Sequence, residues 1–387
     1  MGKSRDVDDT WDEENGQEST EIKDLRNEVD KIDDQILDLL NQRALLAIHI
    51  GKVKAAQNKD FHSPKREREI LHRLVMHHRG PFPAEGVRAV FREILSASLS
   101  LEQPLKVSFL GPRATFTHLA CMEYFGRSSN FLPEKNIRDV FEGVERERVD
   151  YGVIPIENSL EGVIPHTLDL FVDSDVKVGA EILMEISLDL LSTHTRLEEV
   201  KKVYSHPHAI AQCRNWLEGH LADVQILDVE STARAAEVAT TELYSAAIAS
   251  SFAGSLYELN VLERRIQDHP HNCTRFLVIG KREAERTGHD KTSIMFSLRD
   301  SIGALFNALK PFAEHQVNLT KIESRPHKKI PWEYLFFVDM EGHQSDENVR
   351  SAMEDFRKVC TDFKLLGSYP RGRGNKPVGT TSKLQEP

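Results

Sequence analysis

Cysteine is scarce in this chain: four residues in 387, Cys121, Cys213, Cys273 and Cys360, none in CxxC spacing. That excludes a disulfide scaffold and a zinc finger, and predicts free thiols in a reducing, cytoplasmic setting. Long apolar runs are also lacking. Nothing approaches the roughly 20 residues of a membrane helix, and the N-terminus has no signal-peptide core. Positive charge is in deficit: 50 Lys+Arg against 61 Asp+Glu leave a net charge of −11. Neither nucleic acid nor an anionic membrane is therefore expected as a partner. HPH occurs twice, at His206–His208 and His269–His271. Neither pair has nearby carboxylate or thiolate support suited to zinc, so no metal and no cofactor are expected.

What is present changes character along the chain. Residues 1–20 are polar and acidic (DVDDTWDEENGQE) and read as a disordered tail. Residues 21–104 read as helices only: one long helix to about 57, a second starting at Ser63-Pro64, and a third over VRAVFREILSASLSLE. Residues 105–282 alternate short apolar runs with helical patterns, the signature of an α/β domain. KREAERTGHD reads as a linker. Residues 291–370 give the order βαββαβ, a ferredoxin-like unit. The tail 371–387 is basic and Gly/Pro-rich.

The long helix carries an anomaly. Ile22, Leu25, Val29, Ile32, Ile36 and Leu39 recur at heptad-like spacing, and Leu46, Ile50 and Val53 continue the stripe. Arg43 occupies a position where the stripe calls for leucine. A guanidinium on an apolar seam is costly unless an anion meets it. Lys54, eleven residues on, shares its face within about 20°, whereas Arg26 faces about 100° away and serves the same pocket only from a second chain. Arg66 and Glu67 on the second helix, and Ser98 and Glu102 at i and i+4 on the third, add to the polar set. Cations converging on a seam favour a buried site for a small dicarboxylate over a bundle with solvated charges.

In the α/β part, small polar clusters follow the strands: Thr115 to His118, Glu157-Asn158-Ser159, Ser205-His206-Pro207, Ser231-Thr232 and Ser250-Ser251. Each is read as opening a helix. Any one is an ordinary cap, but together at strand ends they predict a cleft for an anionic ligand. GxGxxG, GxxxxGK[ST] and GxSxG are absent here, so neither nucleotide binding nor a hydrolase elbow is expected.

LRNEVDKID, NQRALLAIHIGKVK and SPKRERE resemble the all-helical chorismate mutases. The resemblance implies that Arg26 of a partner chain, Arg43 and Arg66 hold the carboxylates of chorismate. It places Lys54 and Glu102 at the ether oxygen and Glu67 at the hydroxyl, with Ser98 nearby. Ser63 stands where some members have Asp, and Glu102 where some have Gln. An ionised Glu cannot donate to an ether oxygen, so Glu102 is expected to act protonated, with mutase activity falling as pH rises. FLGPRATFTH, VIPIENSLEG, VYSHP, ESTARAAEVA and IQDHPHNCTRFLVIG together resemble prephenate dehydratase, which implies a two-lobed, periplasmic-binding-protein-like fold. Thr274 is then the oriented donor to the leaving hydroxyl of prephenate. Asn158, Ser205, Gln212 and Glu230 bind and orient, in a cleft also lined by Thr115, Ser159, Ser231 and Thr232. Arg275 is either structural or faces the substrate carboxylate. Ala114, Pro165 and Cys273 depart from the family pattern.

NLTKIESRPHKKIPWEYLFFVD resembles the ACT regulatory domain of dehydratases, with Ile302 replacing the more usual proline before the GAL segment. It implies an amino-acid site built from Gly303, Ala304 and Leu305 with Glu323, Ser324, Arg325 and Pro326 at a subunit interface, for L-phenylalanine as feedback effector. The order of the three parts resembles the bifunctional P-protein family and implies a homodimer or higher homo-oligomer. The competing readings are a dehydratase whose helical block only dimerises, and a non-catalytic amino-acid sensor.

Overall fold

The computed structural model describes residues 20–57, 62–328 and 333–372. The acidic tail up to Ser19 and the basic tail from residue 373 lie outside the described residues. The chain forms two compact units, residues 1–61 and 62–387.

The first unit is one helix, α1 (Thr20–Ala56, 37 residues). Its first Gly comes only at Gly51, so no breaker interrupts the stripe from Ile22 to Ile50. In a single chain the stripe is open to solvent: Leu25, Leu39 and Leu46 are 61–63% exposed.

The second unit opens with α2 (Pro64–His77), where Ser63 accepts from the Arg66 N–H as N-cap and Pro64 takes the first position, whose N–H would be unpaired anyway. Pro83 precedes α3 (Ala84–Glu102), which starts earlier than the sequence predicts because AEG joins the helix.

The α/β part has two lobes. Lobe one alternates β1 (Lys106–Leu110), α4 (Phe116–Phe125), β2 (Asn130–Glu134), α5 (Ile137–Glu145), β3 (Tyr151–Asn158), β4 (Gly162–Val163), α6 (Pro165–Asp173) and β5 (Lys177–Glu185). Lobe two follows with β6 (Asp189–Ser192), β7 (Lys202–Ser205), α7 (Pro207–Gln212), α8 (Arg214–His220), β8 (Gln225–Asp228), α9 (Thr232–Ala239), β9 (Ser245–Ala249), α10 (Ser251–Leu256) and β10 (Asn260–Glu263). The chain then returns to lobe one through β11 (Cys273–Gly280). The sheets run β2-β1-β3-β11-β5 and β10-β6-β9-β7-β8. Two crossovers join the lobes, and they are tied together: Ile186 N donates to Asn272 O, and Ile266 N to Leu188 O, each at 2.8 Å. Strands β2, β4, β5, β6 and β10 have no counterpart in the sequence reading. β2 contains Pro133, and β5 carries a buried Glu181 that breaks its apolar run.

The last part is β12 (Asp290–Ser297), α11 (Ala304–Glu314), β13 (Leu319–Pro326), β14 (Tyr334–Glu341), α12 (Glu347–Arg357) and β15 (Asp362–Pro370), in sheet order β13-β14-β12-β15. One sheet face packs on α11 and α12 through Ile294, Phe296, Val338 and Phe356. The other joins the lobe-one core through Met295, Leu335, Phe337 and Tyr369. The approach is close: a Cβ on Gly367 would lie 2.3 Å from Val178 O, so only glycine fits there.

Candidate active site

Strands β3 and β11 run antiparallel with Asn158 opposite Thr274. Asn158 Nδ2 donates to Thr274 Oγ1 at 2.9 Å and to Asn272 Oδ1 at 2.8 Å. Asn158 Oδ1 accepts from the backbone N–H of Leu160 and of Glu161. Asn272 Nδ2 donates to Gln212 Oε1 at 2.7 Å, and Gln212 Nε2 to Glu161 Oε1 at 2.9 Å. Glu161 also pairs with His208. Asn272 is fully buried and Thr274 is buried, whereas Gln212 is half-buried and Glu161 and His208 are exposed, so the cluster runs from the wall of the lobes out to the surface.

Thr115 follows β1 and Asn158 ends β3, so both lie at the carboxyl edge of the first sheet. Ser205 ends β7, Ser231 follows β8, and Ser250 follows β9, at the carboxyl edge of the second. Gln212 and His208, on the helix after Ser205, reach Asn272 and Glu161 of lobe one, so the two edges look onto one cleft.

Several expected ligand groups are already committed within the protein. Thr115 caps α4, accepting from His118 N and donating to Pro112 O at 3.0 Å. Ser205 Oγ donates to Ile248 O at 2.7 Å, and Ser231 caps α9. Ser159 accepts from Cys273 N at 2.9 Å. Glu230 is exposed and Thr232 half-buried at the start of α9. One reading needs correction: Glu157-Asn158-Ser159 does not open a helix. The chain turns, adds β4, and begins α6 only at Pro165, because Asn158 Oδ1 takes up the next two N–H groups as an Asx turn.

Arg275 follows Thr274 on β11 and so points to the opposite face. There Nε donates to Glu181 at 2.8 Å, and the terminal nitrogens to Asp339 at 2.6 Å and Tyr369 at 3.0 Å. Burial works against the charge, but Tyr369, Asp339 and Glu181 outweigh it and raise the guanidinium's pKa. Of the two roles considered for Arg275, this geometry favours the structural one.

Ala114 holds φ 68°, a left-handed conformation that strains any residue with a Cβ. Its N–H donates to His118 Nδ1 at 3.2 Å. The His118 ring stacks on Phe109 with centroids 4.7 Å apart. Burial, helped by nearby Arg113, pushes the His118 pKa from 6.5 to about 4. The unfolded chain therefore binds more protons at this site below pH 6.5, and the protein is expected to lose stability as pH falls from there toward 4. Urea unfolding at pH 7 and pH 5, with His118→Gln alongside, reads this. An unaltered pH dependence in the variant would remove His118 from the account.

The sequence reading missed Asn272 and Glu161, and weighed His208 only as half of a metal-binding pair. Asn272 lies inside the quoted IQDHPHNCTRFLVIG run, and Glu161 inside VIPIENSLEG, but only the fold makes them neighbours. Glu161 also supplies a carboxylate to the first HPH pair. Even so, the described residues hold no group of three or more His, Cys, Asp or Glu fit for a metal ion.

Three family descriptions match in order: Chorismate mutase type II over residues 25–103, Prephenate dehydratase over 107–284, and ACT domain over 292–357. A "Bifunctional chorismate mutase/prephenate dehydratase" of Aquifex aeolicus is 51% identical over 91% of this chain and 98% of its own length. The chain belongs to the bifunctional chorismate mutase/prephenate dehydratase family. The Pseudomonas aeruginosa member is 40% identical over 91% of this chain and 98% of its own length. Among solved structures, a prephenate dehydratase from Arthrobacter aurescens in complex with L-Phe matches with 34% identity and a TM-score of 0.64, over 69% of this chain and 90% of its own. This member is thus an enzyme of phenylalanine biosynthesis with two activities, rearranging chorismate to prephenate and converting prephenate to phenylpyruvate. No described helix is long and apolar enough to cross a membrane.

The mutase residues divide between the two units. On α1, Arg26 is exposed, whereas Arg43 and Lys54 are half-buried and flank Ala47 and Gly51 at spacings of four, four and three. In the second unit, Ser63 Oγ is used as the α2 cap. Arg66 lies 3.3 Å from Glu69, and Glu67 lies 3.5 Å from His62. Ser98 back-bonds to Ile94 O at 2.7 Å, and Glu102 ends α3 half-buried.

The ACT residues divide as well. Gly303 caps α11 at φ 78°, a left-handed conformation glycine adopts without strain, and Ala304 and Leu305 open the helix. On β13, alternation sends Ser324 and Pro326 to one face and Glu323 and Arg325 to the other. The second face looks onto the dehydratase: Arg325 pairs with Asp169 at 3.3 Å, and Lys321 with Glu157 at 2.6 Å. A single ligand cannot engage all four residues from one side.

Proposed function

We propose that dehydration runs on the Thr274 face of β11. Prephenate loses its ring carboxylate as carbon dioxide; the freed electron pair enters the ring, the C–O bond breaks, and hydroxide takes up a proton to leave as water. Hydroxide is a poor leaving group, so a donor must meet it. Thr274 Oγ1 accepts from Asn158, which leaves its own proton for that leaving oxygen. This pairing is the observation that carries the reading. Gln212 closes the cleft from lobe two, while Thr115, Ser231 and Thr232 add helix N-termini for the carboxylates.

For the mutase, Arg43 and Arg66 hold the two carboxylates, with Lys54 and Glu102 at the ether oxygen and Glu67 at the hydroxyl. Catalysis there is orientation and charge stabilisation without covalent chemistry. The solvent-open stripe of α1 suits a second copy of the chain, which brings Arg26. Arg43→Leu decides between a catalytic site and a mere dimer seam. It is expected to cut mutase turnover at least a hundredfold, whereas a pure dimerisation seam would simply become more stable.

Phenylalanine binds the ACT domain on the helix side of β13, near Gly303 and Ser324, and favours a less active state. Ser324→Ala is expected to raise the phenylalanine concentration for half-inhibition about tenfold; unchanged sensitivity in a prephenate assay counts against this site. A time course from chorismate tests the whole reading. Prephenate should appear transiently and then phenylpyruvate, suppressed by phenylalanine; prephenate that accumulates would remove the dehydratase assignment.

A further inference from the structure

The Asn158 amide has one orientation that satisfies its neighbours. The N–H groups of Leu160 and Glu161 both point at one of its terminal atoms, which must then be the oxygen. Its NH2 is committed to Thr274 Oγ1 and Asn272 Oδ1. That forces Asn272 to present its own NH2 to Gln212 Oε1, and Gln212 to present its NH2 to Glu161. An ionised carboxylate only accepts, so the run of amides ends on a group that cannot reverse it. The run is therefore polar in one direction, with backbone donors at one end and a carboxylate at the other. Turning over any one amide sets two donors or two acceptors face to face, most costly around the fully buried Asn272.

The run also crosses the cleft. Asn272 is on the crossover that returns to lobe one, with its carbonyl tied to Ile186 of the other crossover. Gln212 belongs to lobe two, and His208 on the same helix pairs with Glu161 of lobe one. The polarity of the amides is therefore held at both ends, by the backbone donors at Asn158 and by the Glu161 carboxylate at Gln212, and the same carboxylate links the two lobes. Among the described residues the Thr274 hydroxyl proton has no protein acceptor, so it is available to the cleft.

We propose that Glu161 is a positioning residue for the dehydration. Accepting from Gln212 and paired with His208, it anchors the far end of the Gln212–Asn272–Asn158 run and so steadies the arrangement that leaves the Thr274 proton facing substrate. The inference rests on Thr274 being the donor to the leaving hydroxyl.

The test is steady-state kinetics of the full chain with prephenate for three variants. Chorismate mutase turnover and the thermal midpoint serve as fold controls. In Glu161→Gln a carbonyl can still accept from Gln212, so kcat is expected within about threefold of wild type. Glu161→Ala removes the acceptor and is expected to lower kcat about tenfold with KM for prephenate within about twofold, the scale of one lost hydrogen bond. Glu161→Lys offers only donors, opposes the Gln212 NH2, and is expected to lower kcat about a hundredfold. The order Gln above Ala above Lys in kcat supports the proposal. It is overturned if Ala keeps wild-type kcat, if the loss lies in KM alone, or if Gln falls as far as Ala. Should the Lys variant unfold, the Gln and Ala pair carries the same decision. Thr274→Val, assayed in parallel, separates the underlying reading: full dehydration in that variant removes Thr274, whereas its loss beside an unaffected Glu161→Ala removes only the role of Glu161.

Discussion

Thr274→Val is expected to lower dehydratase turnover on prephenate by a factor on the order of 10³, the middle of the range for a positioned proton donor. The substitution is nearly isosteric, so β11 keeps its pairing with β3 and β5. What changes is one hydroxyl. Asn158 Nδ2 loses the oxygen it donates to at 2.9 Å, and the departing hydroxide loses the donor that assists it. Both losses fall on the transition state, so the change belongs in kcat more than in KM. Chorismate mutase turnover of the same protein should stay at its wild-type value. Turnover of prephenate within about tenfold of wild type would mean that another group supplies the proton.

The neighbouring residue should behave in the opposite way. Arg275→Met is expected to cost about 3–5 kcal/mol of stability, the usual penalty when one partner of a buried ionic network is removed. The Glu181 side chain is fully buried and that of Asp339 is 10% exposed. Without the guanidinium, Glu181 keeps Lys291 at 2.8 Å, and Asp339 keeps the Ser293 hydroxyl at 2.5 Å, but the central charge between them is gone. Asp339 and Tyr369 belong to the ACT sheet and Glu181 to the first dehydratase sheet. The loss should therefore loosen the seam between the two domains first. Urea unfolding followed separately by ACT and dehydratase probes would read this. A shift below about 1 kcal/mol would mean that apolar packing around Tyr369 and Gly367 holds the seam without the ionic network.

Much of this was legible in the sequence for local reasons. The α1 stripe, the Ser63-Pro64 start of α2, the strands of the ACT unit and the caps at Thr115, Ser231 and Ser250 all depend on residues a few positions apart. Periodicity, capping and turn chemistry act at that range. The motif runs also carried Asn158 and Thr274, and the resemblance they support added Gln212. Strands such as β5 were not legible, because a glutamate in the middle of a buried strand is tolerated only when a distant arginine and lysine arrive to pair with it.

The sequence by itself determined which chemistry-bearing residues the chain has and which local element each begins or ends. Tertiary structure decided which of them meet. It placed Asn272, a plain loop asparagine in the sequence, between Asn158 and Gln212, and it brought Glu161 to a helix of the other lobe. Strand alternation turned Thr274 and Arg275 to opposite faces and split Glu323–Pro326 between the helix side and the dehydratase side of β13. The physical reason is range. A hydrogen bond or ion pair is fixed by atoms a few ångströms apart, and only the folded sheets bring residues 50 to 190 positions apart to that distance.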